Sequence, residues 1–519
     1  MKVLMGVDFG TGGCKVTVID LQGTVVASAF KEYSSEYKKP GWSEQDPALW
    51  INALLETVPK AMKAVKKEEA ELLALAVTAS THNAVLLDAE NRVLRPCIMW
   101  NDQRSGKQAD YLKEHYGDRI FEIGMQMPTP TWTLPQLLWV KENELEIFSK
   151  IKRLMFTKDY VRSWITGDQC TDVVDAQGSL LFDAHRNQWS EELCAMIGLN
   201  PAVLPEIRQS AEIVGTVQKE PAQKLDLPEG LPVIAGCSDT AAEDYGAGAC
   251  RAGQIIVKLA TAGNVNLVTD RGIQHKKAFA YPYAVPGKWY TVTATNSCAS
   301  ANRWLRDTFY PFEKQCSEKL GANVYEYMGR QAEEINIGAD GLFFHPYLLG
   351  ERCPYFNPNA KAGFFGISML HKKGHFARAL LEGVAYSLYD CLLVLKELTA
   401  DLDDIVIIGG GAKSPLWCQI VSDVFGLQVK APENAESSFG GAMLAGVGVG
   451  AFSNEEEAVK CCVRMKKTYF PDPKAHKIYM RHFEIYHKII DASTSIWQEL
   501  AELLKNEEAE KTGERNGRA

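Results

Sequence analysis

The first thirty residues alternate between apolar and polar positions. "KVLMGVDFG", "CKVTVIDL" and "TVVASAFKEY" are β-branched and apolar, separated by "TGG" and "QGT". That pattern predicts a β-meander with glycine-containing turns. Residues 46–65, "DPALWINALLETVPKAMKAV", carry helical spacing. Asp46 is a candidate cap and Pro47 suits the first turn, while Pro59 is expected to kink or split the helix. Residues 71–80 read as a buried strand, and 83–94 as a hairpin turning on Ala89–Asn91. Strands and helices then alternate as far as "LPVIAGCSDTAAEDYGAGA", residues 231–249.

A second series begins with "GQIIVKLATAGNVNLVTD" (253–270). A strand at 288–296, a long helix near 375–398 and a strand, glycine turn and helix over 404–426 follow, then a strand at 427–432. The expectation is an α/β chain of two domains, 1–247 and 248–505, each opening on a strand-turn-strand. The charged, glycine-containing tail 506–519 is expected to be disordered. The two openings echo each other. Val7-Asp8-Phe9-Gly10-Thr11-Gly12-Gly13 aligns with Val257-Lys258-Leu259-Ala260-Thr261-Ala262-Gly263, with threonine and the last glycine at equal offsets.

Length agrees with this division, since 519 residues exceed a single core at roughly 100–200 residues per domain. A net charge of −9 speaks against nucleic acid as the main partner, because phosphate backbones call for a basic face. No secretory leader is recognisable, and the apolar run 439–452 is shorter and richer in glycine than a membrane span. The thirteen cysteines show no C-x-x-C pair and no zinc spacing, so free thiols in a cytoplasmic protein are expected.

Three places carry candidate chemistry. A tight glycine turn between two strands exposes consecutive backbone N–H groups, and a threonine adds a hydroxyl, which suits phosphate oxygens. The same letters also describe an ordinary hairpin turn. No Gly-Lys-Ser/Thr triplet supports a P-loop, no H-R-D loop supports a protein kinase, and "CKVTVID" after the first glycines is a strand where a dinucleotide fingerprint needs a helix. Asp239 follows an apolar strand and precedes small residues suited to a helix. It is either a plain N-cap or a base that accepts a hydroxyl proton during phosphoryl transfer. Gly409–Gly411 lie between a buried strand and a helix, where a flat ligand could approach the backbone.

With these residues in view, the chain resembles the FGGY family of carbohydrate kinases over about residues 3–490. Asp8, Gly10, Thr11 and Lys15 match D-x-G-T-x-x-x-K. "GWSEQDPALW", "VLRPCIMWNDQR", "TKDYVRSWITG", "TDVVDAQGSLLFD", "PYLLGERCPYFNPNAKAGFFGIS" and "GGGAKSPLWCQIVSDV" resemble further family blocks in order. The resemblance implies two ribonuclease-H-like domains of the actin and hexokinase type, with Mg-ATP in a cleft between them and a sugar on the N-terminal domain.

It also implies roles. Asp239 would be the catalytic base and contact the sugar. Asp8 would help position Mg²⁺. Gly10, Thr11, Gly12 and Lys15, with Thr261 and Gly263, would serve the phosphates. Gly410, Gly411, Ala412 and Ser414 would serve the nucleoside. Thr81, His82, Trp100, Asn101 and Asp102 would line the sugar. Within the family the likeness is greatest to the xylulokinases, which implies a ketopentose, D-xylulose, as acceptor. Thr81 and Asn83 depart from that subgroup's Gln-Met-His-Gly and are expected to add polar groups beside the substrate. Other sugars, polyols or sugar acids (ribulose, gluconate, an erythritol-like polyol), or a regulator that binds ATP without catalysis, are the alternatives. The expected partners are the sugar and ATP, with no nucleic acid and no membrane, and a homodimer is the assembly allowed for.

Overall fold

A computed structural model describes residues 1–399 and 402–516. The meander forms as its alternation predicts. Strands β1 (Lys2–Gly10), β2 (Gly13–Asp20) and β3 (Val25–Glu32) pair antiparallel in sequence order. Helix α1 (Pro47–Lys67) starts at Asp46, whose side chain accepts the Ala48 N–H. It runs unbroken through Pro59, so the helix is not split there. Leu54, Val58, Met62 and Val65 are buried on both sides of the proline. At about 1.5–3 kcal/mol for each buried side chain, they outweigh the roughly 3 kcal/mol an interior proline costs.

Strand β4 (Glu71–Ala79) pairs parallel with β1. Helices α2 (Thr157–Thr166) and α3 (Val173–Gly178) follow, then β5 (Ile213–Thr216), β6 (Pro232–Ile234) and helix α4 (Asp239–Gly246). The first sheet has the order β5-β6-β4-β1-β2-β3.

The second series repeats this plan. Strands β7 (Ile255–Leu259) and β8 (Gly263–Thr269) form an antiparallel hairpin. Strands β9 (Phe279–Pro282) and β10 (Trp289–Thr295), helices α5 (Ala299–Phe309) and α6 (Lys373–Lys396), β11 (Ile405–Ile408), helix α7 (Pro415–Phe425) and β12 (Val429–Pro432) follow. Next come helix α8 (Ser437–Gly448), β13 (Met465–Tyr469) and helix α9 (Pro473–Asn516). The second sheet has the order β9-β10-β8-β7-β11-β12-β13. In both sheets the first strand of the hairpin lies between its partner and a parallel strand, a second parallel strand comes next, and the edge strand is antiparallel. The sequence echo at Thr11 and Thr261 therefore marks the same hairpin in two copies of one topology.

Two compact units result, and neither is a continuous half of the sequence. The first comprises 1–252, 268–291 and 433–464, and the second 253–267, 292–432 and 465–519. The expected division into 1–247 and 248–505 therefore differs from the compact units, most of all at α8. This segment, which looked closest to a membrane span, lies on β1 and α4. A Cβ on Gly6 would fall 1.8 Å from the Ser438 carbonyl oxygen, and one on Gly440 would fall 1.8 Å from the Ala242 carbonyl oxygen. Small residues let α8 approach the sheet this closely. Among the described residues no helix is long and apolar enough to cross a membrane.

Helix α9 continues through Asn516, into the segment expected to be disordered. Glu, Lys and Ala are good helix formers, and extending an existing helix avoids the nucleation cost. Residues 517–519 lie outside the described residues.

Candidate active site

The β1–β2 hairpin turns through Thr11 and Gly12. Its carbonyls are tied to neighbouring side chains. The Tyr33 hydroxyl donates to the Gly10 carbonyl at 2.7 Å, and Gln45 Nε2 donates to the Thr11 carbonyl at 2.8 Å. Gly12 has open space where a Cβ would stand. The second hairpin follows the same rule. The Ala260 carbonyl accepts from the Ala299 N–H at 2.7 Å, and the Thr261 carbonyl accepts from the Ser300 hydroxyl at 2.7 Å. Thr261 is exposed, whereas Gly263 is buried against Leu388, Thr295 and Cys298. In both turns the acceptors face the protein, which suits the tips to an anion.

Asp8 lies near the end of β1, and its Oδ1 accepts the Thr78 hydroxyl of β4 at 2.8 Å. It is partly exposed. Among the described residues no three His, Cys, Asp or Glu side chains form a metal cluster. One accessible carboxylate does suit Mg²⁺, which keeps waters and is bound largely through substrate phosphates. Lys15, opposite Asp8 in the β1–β2 register, forms an exposed ion pair with Glu436.

Asp239 is the first residue of α4. The N-cap is Ser238, whose hydroxyl accepts the Ala241 N–H at 3.4 Å. The plain capping role therefore falls to the serine. Asp239 Oδ1 accepts from the Thr240 N–H and hydroxyl at 2.6 and 3.2 Å, on a partly buried side chain.

The expected sugar residues divide by what they touch. His82 is buried with φ +48°, and Thr133 donates to its carbonyl. Burial pushes its imidazole down to about 3, so the ring is neutral, and among the described residues its Nδ1 has no hydrogen-bond partner. Asn101 Oδ1 is likewise buried without one. Trp100 is 40% exposed.

Thr81 and Asn83, expected to add polar groups beside the substrate, both have hydrogen-bond partners within the protein. The Thr81 hydroxyl donates to Asp175 Oδ1 at 2.8 Å. Asn83 is fully buried, donating to the Ser80 carbonyl and accepting the Trp100 N–H. Asp102, also expected at the sugar, is fully buried. Its carboxylate accepts from the Ser43 N–H and from Arg104.

Behind Thr81 and His82 lies a cluster that carried no assigned role in the sequence. Lys158 of α2 is fully buried and meets Asp159, Asp172 and Asp175 at 2.5, 3.1 and 3.1 Å. Burial opposes its charge, but the three carboxylates outweigh it and hold its pKa above the ordinary lysine value. Burial pushes Asp175 up to about 6 against the pull of Lys158. The available signal was a lysine, Lys158, followed by three acids, Asp159, Asp172 and Asp175, within 17 residues.

At the glycine turn after β11, Gly410 has open space, and Gly409 has φ +89°. A Cβ on Gly411 would meet Leu259 and Trp417 at 2.7 and 2.8 Å, so this glycine serves packing. Ala412 follows on the same turn, and the Ser414 hydroxyl caps α7 by accepting the Trp417 N–H. Trp417 and Trp50 are buried core residues.

A duplicated α/β unit with a glycine hairpin in each copy defines a two-domain protein of the ribonuclease-H-like class. Residues 3–246 match the N-terminal domain of the FGGY family of carbohydrate kinases, and residues 259–449 match its C-terminal domain. The chain belongs to that family, and it is an ATP-dependent phosphotransferase acting on a sugar hydroxyl. It is 31% identical to a xylulose kinase of Lactococcus lactis over 506 residues, 97% of this chain and 99% of that protein. It is 30% identical to a gluconokinase of Bacillus subtilis over 447 residues, 86% and 87% of the two chains. The crystal structure of a xylulose kinase from Rhodospirillum rubrum superimposes with a TM-score of 0.88 at 26% identity, covering 96% of this chain and all of that one.

Proposed function

We propose that the chain phosphorylates the terminal hydroxyl of a ketopentose, D-xylulose, to give D-xylulose 5-phosphate and ADP. The observation that carries the chemistry is the position of Asp239 beside a helix cap filled by Ser238. In the proposed step the sugar hydroxyl oxygen bonds to the γ-phosphorus as the bond from that phosphorus to the β,γ-bridging oxygen breaks. Asp239 takes the hydroxyl proton, and ADP leaves with the bridging oxygen. The loose transition state of phosphoryl transfer asks little of the base early on, so an aspartate suffices. Thr240 orients this carboxylate through Oδ1.

Thr11 with its hairpin and Thr261 with its own would donate to the phosphates, while the turn at Gly410 would take the nucleoside. Mg²⁺, where bound, would be positioned with the help of Asp8 and would neutralise phosphate charge. His82 and Asn101, each with a buried polar atom lacking a partner among the described residues, would receive sugar hydroxyls. Likeness to xylulose kinases along nearly the whole chain supports the ketopentose. The gluconokinase relative supports a second reading, a sugar acid as acceptor.

The test is an ADP-release assay over ketopentoses, polyols and sugar acids, with Asp239→Asn as control. D-Xylulose is expected to give the highest kcat/KM, and gluconate leading would select the second reading. Asp239→Asn is expected to lower kcat by about a thousandfold or more while ATP still binds. No turnover with any acceptor would sink the kinase reading, and full activity of Asp239→Asn would sink the base assignment alone.

A further inference from the structure

The first hairpin is braced by side chains that no motif assigns to it. Trp100 Nε1 donates to Thr11 Oγ1 at 2.9 Å. Gln45 Nε2 donates to the Thr11 carbonyl, and Gln45 is itself fixed because its Oε1 accepts from Trp50 Nε1 at 2.8 Å. Gln45 and Trp50 are fully or almost fully buried, so this arm of the brace is rigid. The Tyr33 hydroxyl holds the Gly10 carbonyl, and the Tyr33 N–H holds the Gly12 carbonyl. Trp100 is anchored at its other end, where its N–H donates to Asn83 Oδ1 at 2.6 Å. A continuous path of hydrogen bonds thus runs from the Ser80–Asn83 loop through Trp100 to the Thr11 hydroxyl.

The direction of the bonds gives this path its consequence. A hydroxyl has one proton to donate and two lone pairs. Indole N–H can only donate, so at Trp100 the Thr11 oxygen must accept. Its own proton is then left for another acceptor. An unbraced threonine would have to select that orientation against the other staggered ones at each binding event, and ordering the donor beforehand removes this loss.

We propose that Trp100 is a positioning residue that links the sugar wall to the phosphate hairpin, holding the Thr11 hydroxyl ready to donate to a nucleotide phosphate. The inference rests on the reading of that hairpin as a phosphate site. It gives Trp100 a role in nucleotide affinity beyond any contact its ring makes with a sugar. It also explains Asn83, whose amide bridges Ser80 and the Trp100 backbone.

A double-mutant cycle tests this. Trp100→Phe keeps an aromatic wall and removes the indole N–H, Thr11→Val removes the acceptor, and Thr11→Ser keeps it. ATP affinity is measured by calorimetry with and without Mg²⁺, and KM for ATP and for the sugar by ADP release. Trp100→Phe is expected to weaken ATP binding about fivefold to tenfold while the sugar KM changes less than twofold. The double variant Trp100→Phe/Thr11→Val is expected to bind ATP no worse than Thr11→Val alone, and Thr11→Ser is expected to stay near wild type. A Trp100→Phe effect confined to the sugar KM, or two ATP effects that multiply in the double variant, would overturn the proposal. Wild-type protein that binds ATP but phosphorylates no acceptor would overturn the proposed function instead, and the binding cycle would still report on the brace.

Discussion

The Thr81 hydroxyl donates to Asp175 across 94 residues of sequence, and the His82 N–H reaches the same carboxylate oxygen at 3.2 Å. One buried carboxylate thereby fixes the backbone on which His82 adopts φ +48°. Such a backbone is held in place by its surroundings, since a non-glycine residue at positive φ is strained. The second oxygen of Asp175 meets Lys158, which ties the Thr81–His82 loop to the core of the first unit.

Asp175→Asn is therefore expected to raise the sugar KM about tenfold, equivalent to about 1.4 kcal/mol, with KM for ATP within twofold. Lys158 keeps Asp159 and Asp172, so the variant should fold. Because burial pushes Asp175 up to about 6, the wild-type sugar KM should rise as pH falls below that value. Asparagine resembles the protonated acid, so the variant should show a high KM without this pH dependence. Steady-state kinetics between pH 5 and 8 checks both statements. A flat wild-type profile would refute the link.

Ser238 caps α4 so that Asp239 need not. Ser238→Ala is expected to cost about 1 kcal/mol and to lower kcat by loosening the turn that carries Asp239, the proposed base. Ser238→Thr, which keeps a capping oxygen, should recover most of both. Thermal melting read alongside kcat distinguishes a lost cap from a lost base, because Asp239→Asn should reduce kcat with little change in melting temperature.

Gly440 meets α4 where no side chain fits. A Cβ would stand 1.8 Å from the Ala242 carbonyl oxygen and 3.0 Å from the nitrogen of Gly246, the last residue of α4. Backbone must move to admit it, so Gly440→Ala should destabilise by about 1–3 kcal/mol or more and reduce kcat by displacing the helix that bears Asp239. Gly329 lies in a helix with nothing within 4 Å of its Cβ position. Gly329→Ala should be neutral or stabilising by up to about 1 kcal/mol, since it lowers only the chain entropy of the unfolded state.

Two buried histidines set an acid limit. Burial pushes His82 down to about 3 and His345 down to about 4. Both rings are neutral in the folded chain and titrate near 6.5 when unfolded. Below pH 6.5 the unfolded state binds protons that the folded state does not, so stability falls with pH by roughly 1.4 kcal/mol per unit for each ring. The loss should continue until the folded values are reached. His345 also holds the Tyr486 carbonyl through Nε2. His345→Gln, whose amide can still donate there, should flatten the fall in melting temperature between pH 6.5 and 4.5. An unchanged slope would refute its contribution.

The hairpins, α1, α4, the strand before the Gly409–Gly411 turn and the position of Asp239 were legible because each is encoded by near neighbours: a period of two or 3.6, a cap, a glycine pair. The repeat of Thr11 at Thr261 was legible for the same reason, and the second sheet gives it an equivalent setting. Pro59 does not split α1, because the stripe that holds the helix together draws its strength from residues packed against it. The Thr81 hydroxyl donates to Asp175, the Asn83 carbonyl accepts from the Trp100 N–H, and the Asp102 carboxylate accepts from Arg104 and Ser43, partners that short-range spacing does not reveal. The sequence alone determined which segments are strands and helices and which residues can do chemistry, since both depend on side-chain type and short-range spacing. Which polar groups face a ligand and which are held by the protein was decided by the tertiary structure, because a hydrogen bond belongs to whichever partner folding brings within about 3 Å.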